Sequence, residues 1–353
     1  MAWMLAATRV LAARAQQAFA IGFRFPQQQT ANGSFQQINL SRNMANNLIH
    51  PSYGSWATGF AATWELDFWG KFRRSIESAT NLLDASFDDY DNVLVSLLGD
   101  VATAYTQYRI FEQQLAYSRE NIRIQRGSLK IATDRWKAGQ TNELSSVQGA
   151  SLLEQLEATI PLLESGMRQA SNQLCVLLGI APTDLTAKLG KAPIPKSPTE
   201  VIAGIPADLL RRRPDLQAAE KQIAALNAQI GVAESALYPS FFISGTIGYQ
   251  AKDLGMLYNS NSFTGTAGPE FSRNVLNYGR IINNVRLQDY KTQELIGVYQ
   301  QKVLAVGREM ENALVTFVNL QVEAQHLAAS VKAAERRERS PTSSSPPGRS
   351  TIL

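Results

Sequence analysis

Between Gly54 and Phe68 apolar and polar positions alternate strictly. Trp56, Thr58, Phe60, Ala62, Trp64, Leu66 and Phe68 fall on one side, and Ser55, Ala57, Gly59, Ala61, Thr63, Glu65 and Asp67 on the other. This period of two predicts a strand about 50 Å long at about 3.3 Å per residue. By itself such a strand suits either a twisted soluble sandwich or a tilted membrane barrel with aromatics toward lipid and small polar groups toward a lumen. At Gly70 the period changes. Ile76, Leu83, Phe87, Tyr90, Leu94, Leu98, Val101, Tyr105, Tyr108, Phe111, Leu115, Ile122 and Leu129 recur at helical spacings, interrupted only by glycines 99 and 127. One helix is therefore expected from Lys71 to Lys137, approaching 100 Å at about 1.5 Å per residue. A helix so long needs lateral neighbours, as in a coiled coil.

Its end is marked by Lys137, Ala138, Gly139, Gln140 and Thr141, with Gly139 suited to a left-handed cap. Thr141 or Asn142 is expected to cap a returning helix that reaches Leu178 and bends at Pro161. Upstream, residues 1–20 read as helix, ended by Phe25-Pro26. Residues 27–40 read as a loop or as a strand polar on one side. A proline-bearing connector occupies 180–207. Asp208 then reads as the cap of a helix from Leu209 to Ala236, or Pro214 as its true first turn with Arg213 before it. Two further strands are expected, the first carrying Phe241, Ile243, Ile247 and Tyr249 and the second running from Phe263 to Tyr278. After Gly279-Arg280 a long helix restarts with Ile281, Val285, Leu295, Val303, Leu314 and Phe317.

The unit helix, Pro, strand, strand, Gly-basic, long helix therefore occurs twice. An offset of 209 residues aligns Trp69 with Tyr278, Gly70 with Gly279, Lys71 with Arg280, Tyr90 with Tyr299, Asp100 with Glu309 and Ala104 with Ala313, without a gap. The expected segments are 1–20, a partial helix; 21–69, two strands; 70–179, a long hairpin with its tip near 139; 180–207, a connector; 208–237, a helix; 238–278, two strands; 279–335, a truncated long helix; and 336–353, a disordered tail rich in Arg, Ser and Pro.

Composition narrows the chemistry. The net charge of +4 includes a basic terminal patch and implies no nucleic-acid partner, and Arg211-Arg212-Arg213 lacks the interleaved aromatics of a base-stacking platform. Two histidines, His50 and His326, and one cysteine, Cys175, carry no ligand spacing, so neither a metal nor another cofactor is expected. Cys175 reads as a packed helix residue. No run of 18 uncharged apolar residues occurs, hence no transmembrane helix is expected. No nucleophile set or phosphate loop points to an enzyme. For Glu65 and Asp67 the plain reading is a solvated strand end, and for the tip an ordinary turn.

The stretch Trp64-Glu65-Leu66-Asp67-Phe68-Trp69-Gly70-Lys71, the tip from Arg135 to Thr141, and above all Ile205-Pro206-Ala207-Asp208-Leu209-Leu210-Arg211-Arg212-Arg213-Pro214-Asp215-Leu216 resemble the outer membrane efflux proteins of the TolC family. Within it they are most similar to the NodT-like lipoprotein channels of tripartite RND drug-efflux systems. The resemblance implies a mixed α/β membrane protein. It would be a homotrimer in which four strands per protomer build one β-barrel in outer membrane lipid, above long coiled-coil helices that form a periplasmic α-barrel. It implies passive conduction of drugs or other solutes, a periplasmic adaptor protein and an inner-membrane RND pump as partners, and no catalysis. Gly70 and Gly279 would be strand-to-helix hinges; Trp56, Phe60, Trp64, Phe68, Trp69, Phe241 and Tyr249 barrel or interface aromatics; Lys137, Ala138, Gly139, Gln140 and Thr141 the adaptor contact; and Arg212, Arg213, Pro214 and Asp215 the family motif. The family's signal sequence, lipid-bearing cysteine, second tip and last helix are not visible. A fragment, or a changed reading frame near Glu335 to Arg339, is therefore expected, with lipid anchoring left to the parent protein. A soluble periplasmic coiled-coil adaptor or scaffold is the alternative; it would lack paired long alternating strands.

Overall fold

The computed structural model describes residues 2–40, 52–196 and 211–339. Four strands, β1 (Gln28–Asn39), β2 (Ser52–Leu66), β3 (Ser240–Ala251) and β4 (Phe263–Ser272), form one antiparallel sheet in the order β1-β2-β3-β4. Residues 28–39 are thus strand, although eight of the twelve are polar. The helices are α1 (Ala2–Gly22), α2 (Lys71–Lys137), α3 (Glu143–Leu178), α4 (Thr186–Leu189), α5 (Pro214–Ser235) and α6 (Arg280–Arg339).

Register explains the shape. Gln28 pairs with Thr63, Leu66 with Phe241, and Ser240 with Ser272, so every strand end that leads to or from a helix lies at the same end of the sheet. The helices project from that end. Helix α2 is 67 residues long, about 100 Å at about 1.5 Å per residue. It packs on α1 and α5 near the sheet and on α3 farther away, while α5 also packs on α6.

Small residues let these helices approach. Ala85, Ala218, Ala219, Ala225, Ala228 and Ala233 are buried around α2 and α5. A Cβ on Gly166 would lie 2.6 Å from the Phe111 ring, so α3 meets α2 there through backbone. Farther out, Arg119 pairs with Glu164 at 2.9 Å and Arg126 with Glu157 at 2.7 Å across the hairpin. The clearest apolar cluster joins Ala104 and Tyr108 of α2, Ala170, Leu174 and the fully buried Cys175 of α3, and Leu185 of the connector.

Several sequence-based expectations need correction. Strand β2 ends at Leu66, so Phe68 and Trp69 are turn residues. The next residue, Asp67, turns its carboxylate to the first turn of α2. Strand β4 ends at Ser272, and residues 273–277 are irregular. Helix α3 spans Glu143–Leu178 with Pro161 inside it, and Asn142, one of the two expected caps, occupies the cap position but makes no side-chain hydrogen bond. Helix α5 starts at Pro214 with Arg213 at its cap position, as in the second of the two readings. Asp208, His50 and the expected connector beyond residue 196 lie outside the described residues. Helix α6 runs to Arg339, past the expected onset of a tail at 336.

Candidate functional site

The sheet has one face rich in large apolar side chains and one rich in polar ones, although Gln29, Gln37 and Thr58 share the first and Ile38 and Phe242 the second. Directly opposed residues of antiparallel strands point the same way, so the register sorts the side chains. One face carries Phe35, Trp56, Phe60, Trp64, Phe241, Ile243, Ile247, Tyr249, Phe263 and Phe271. The other carries Asn32, Ser34, Ser55, Thr63, Ser244, Thr246, Gln250 and Thr266. On the apolar face Phe60 and Phe271 are 68 % and 75 % exposed in the single chain. On the polar face side chains bond across strands: Gln250 Nε2 donates to Ser55 Oγ at 3.1 Å, and the Thr246 and Thr266 hydroxyls meet at 2.8 Å.

The aromatics on the apolar face form a band at each end, with Phe60 between them. Phe35 and Trp56 contact at 4.4 Å between ring centroids, and Tyr249 and Phe263 at 6.0 Å, toward the loop end. Trp64, Phe241 and Phe271 lie toward the helical end. Trp56 and Trp64 are eight residues apart in one strand, about 26 Å along it at about 3.3 Å per residue. At a tilt of about 40° that is about 20 Å perpendicular to the bands, somewhat below the apolar height of about 25 Å in membrane barrels. Among the described residues, the outer edges of strands β1 and β4 pair with no other strand.

Where β2 meets α2 the chain turns on Gly70, whose φ of 81° is one that a Cβ disfavours. Both Asp67 carboxylate oxygens accept backbone N–H groups, from Phe72 and Arg73, at 2.9 Å each. They satisfy donors of the first helical turn and set negative charge at the positive end of the helix. Glu65 receives Lys71 Nζ at 2.8 and 3.0 Å. Trp69 stacks on Tyr238 with centroids 4.4 Å apart, and its indole N–H donates to the Pro239 carbonyl at 2.8 Å. Neither carboxylate is a bare strand end.

The second junction, at Tyr278 and Gly279, has φ values of 49° and 79°. Tyr278 is 95 % exposed, and Val275 and Leu276 are also bare. The two hinge glycines thus share a backbone conformation but have different surroundings.

At the tip, Gly139 adopts φ 70°, and the N–H groups of Ala138, Gly139 and Gln140 close the last turn on the carbonyls of Asp134, Trp136 and Arg135. Lys137 to Gln140 are exposed and Thr141 is half-buried. Far from the tip, Arg213 forms two 3.1 Å hydrogen bonds to Asp215 and reaches Glu309 of α6 at 3.2 Å. Lys302 donates to the Asp215 carbonyl at 2.7 Å, and Tyr299 to Glu220 at 2.6 Å. Pro214 occupies the first helical position, while Arg212 is exposed. Partial burial opposes ionisation of Asp215, but hydrogen bonding and charge from Arg213, aided by Lys302, hold its pKa below the ordinary value. The motif is therefore a clasp between α5 and α6.

One clamp escaped sequence reading. Arg109, with a side chain only 1 % exposed, donates to the Leu189 and Gly190 carbonyls at 2.8 and 2.7 Å, to Glu112 at 2.7 Å and to the Tyr105 hydroxyl at 3.1 Å. It ties α4 to α2 and neutralises carbonyls at the C-terminal end of α4. Beside it a cavity of about 810 Å³ lies between α2, α3 and the connector. A cation inside the apolar stripe, between Tyr108 and Phe111, was the available signal. Among the described residues no cluster could hold a metal ion, and no helix is long and apolar enough to cross a membrane.

Comparison with known proteins agrees with this geometry. The family model described as outer membrane efflux protein matches residues 4–180 and 205–341. The chain is 31 % identical over 317 residues to the pyoverdine export outer membrane protein OpmQ of Pseudomonas putida, covering 88 % of this chain and 66 % of that protein. It is 29 % identical over 294 residues to nodulation protein T of Rhizobium leguminosarum bv. trifolii, covering 82 % and 62 %. The chain thus spans less than two thirds of the length of these relatives. Among solved structures, the outer-membrane channel OprN superposes with a TM-score of 0.86 at 28 % identity, over 95 % of this chain and 74 % of that one. CusC gives 0.81 at 26 % identity, over 96 % and 78 %.

Proposed function

The chain belongs to the outer membrane efflux protein family, and from that premise we propose that it is the outer membrane channel component of a tripartite efflux pump, conducting solutes passively. The observation that carries this reading is the two-faced sheet with two open edges. An apolar face banded by aromatics fits lipid, and a polar face without a core against it fits water. Open edges are tolerated in lipid only when they are paired, since an unsatisfied backbone group there costs several kcal/mol. Pairing β4 of one copy with β1 of the next, three times over, closes a barrel of twelve strands. Helices leaving one end would then enclose a periplasmic tunnel.

The second junction supports the trimer independently. Within the chain, Trp69 of the first junction rests on Tyr238 and Pro239. The repeat places Tyr278 where Trp69 stands, and Phe25-Pro26 where Tyr238-Pro239 stands. The bare Tyr278 of one copy is thus matched to the exposed Phe25 of the next. The helical tip from Lys137 to Thr141 is the proposed seat of an adaptor protein, with an inner-membrane RND pump beyond it.

Relatives in several branches carry names that refer to pyoverdine, solvents, toluene and cations. The Arg-Arg-Pro-Asp stretch supports the NodT-like lipoprotein branch, and lipid anchoring of the parent polypeptide follows only from that branch. Outer-membrane fractionation, the mass of the detergent-solubilised particle and planar-bilayer conductance test the reading. A membrane-bound trimer that conducts is expected; a soluble monomer would overturn it.

A further inference from the structure

The four strands contain only two charged residues, Glu65 and Glu270. Both lie on the polar face and in one cross-strand row, because Glu65 is directly opposite Phe242 and Phe242 directly opposite Glu270. Their surroundings differ. Glu65 is neutralised by Lys71, and its backbone N–H and carbonyl are both bonded to the Gln27 side chain. Glu270 accepts the Ser244 hydroxyl and has no ion pair among the described residues. Arg273, just past the end of β4, lies in the irregular segment and forms no salt bridge with Glu270. The polar wall thus presents one uncompensated carboxylate per copy, near the helical end of the sheet, and no strand supplies a cation to balance it.

We propose that Glu270, held by Ser244 beside Phe242, makes the barrel lumen favour cationic over anionic solutes. The inference rests on the channel reading and adds a charge preference to it. Scale decides whether three such carboxylates matter. A twelve-stranded barrel with strands about 4.8 Å apart and tilted about 40° has a backbone radius of about 12 Å. Inward side chains narrow the water column to a radius comparable with the Debye length of about 8 Å at physiological ionic strength. The field of the carboxylates therefore reaches the axis at low salt. At 1 M salt the length falls to about 3 Å and the axis is screened.

The test is the potassium-to-chloride permeability ratio of the full polypeptide in planar bilayers, measured from reversal potentials under a potassium chloride gradient. The ratio should exceed one near 0.1 M and approach the free-solution value near 1 M. Glu270→Gln should lower the low-salt ratio by about twofold or more, Glu270→Lys should carry it below one, and Glu270→Asp should preserve it. Conductance with an unchanged ratio in Glu270→Gln and Glu270→Lys overturns this inference and leaves the channel reading standing. Absence of conductance in the parent polypeptide overturns the channel reading, and this inference with it. Detergent-resistant trimer formation is checked for each variant; if Glu270→Gln does not assemble, Glu270→Ser takes its place with the same two outcomes.

Discussion

Trp69 and Tyr278 stand at matching places in the two halves of the chain, each just before a glycine with positive φ and a basic residue that opens a long helix. The first is stacked, hydrogen-bonded and backed by a carboxylate cap. The second stands in solvent, and the residue aligned with Asp67 is Leu276, which has no carboxylate to offer. A repeated sequence thus reproduces the backbone turn, which is local, but not the contacts, which depend on the neighbour each junction meets in space. For the first junction that neighbour is the next repeat of the same chain. For the second it is, on the proposed trimer, the next copy.

The largest separation between the two junctions should come from their aromatics. Trp69→Ala removes a stack, a hydrogen bond and partly buried apolar area, a loss of about 2–3 kcal/mol in denaturant titrations of the detergent-solubilised chain. Tyr278→Ala should leave the monomer unchanged within about 0.5 kcal/mol, yet lower the temperature at which trimers dissociate. A clear monomer effect for Tyr278→Ala would break the comparison.

Caps and hinges come next. Asp67→Ala should cost about 1–2 kcal/mol, whereas Leu276→Asp, which supplies the missing carboxylate, should gain about 0.5–1 kcal/mol. Gly70→Ala and Gly279→Ala should each cost about 1–2 kcal/mol, and by similar amounts, since both impose the left-handed region on a residue with a Cβ. Unequal costs would show that surroundings, and not backbone, govern the hinge.

The smallest effect is that of pH on the α5–α6 clasp. Folded Asp215 titrates below its ordinary value of 3.8, so its contribution is fully present above that value and is lost as pH falls through the lower, folded one. Asp215→Asn should flatten this acid-limb loss, read from helical ellipticity between pH 5 and about 2.

Much of this fold is legible from periodicity. The span of α2 from Lys71 to Lys137 follows from apolar spacing and from Gly70 and Gly139 at its ends, because helix length and termination are local properties. Strand ends are less legible. Alternation runs on through Phe68, yet the strand stops at Leu66, where pairing with β3 ends at Phe241 and the Asp67 carboxylate meets the first turn of α2. Arg109 was hidden for a similar reason. Its partners at Leu189 and Gly190 are some eighty residues away, and no local pattern records them.

At the junction from Trp64 to Arg74 the change of period, the glycine hinge and the family can be read from the residues alone. Those depend on side-chain spacing and on φ, and each acts within a few residues. That Glu65 is neutralised while Glu270 has no ion pair among the described residues, that Trp69 is stacked while Tyr278 is bare, and that the Arg213 motif clasps α6 emerge in the folded chain alone. Each of those depends on which distant group reaches the same point in space, and hydrogen bonds, ion pairs and ring stacks form between whatever the fold brings within a few ångströms.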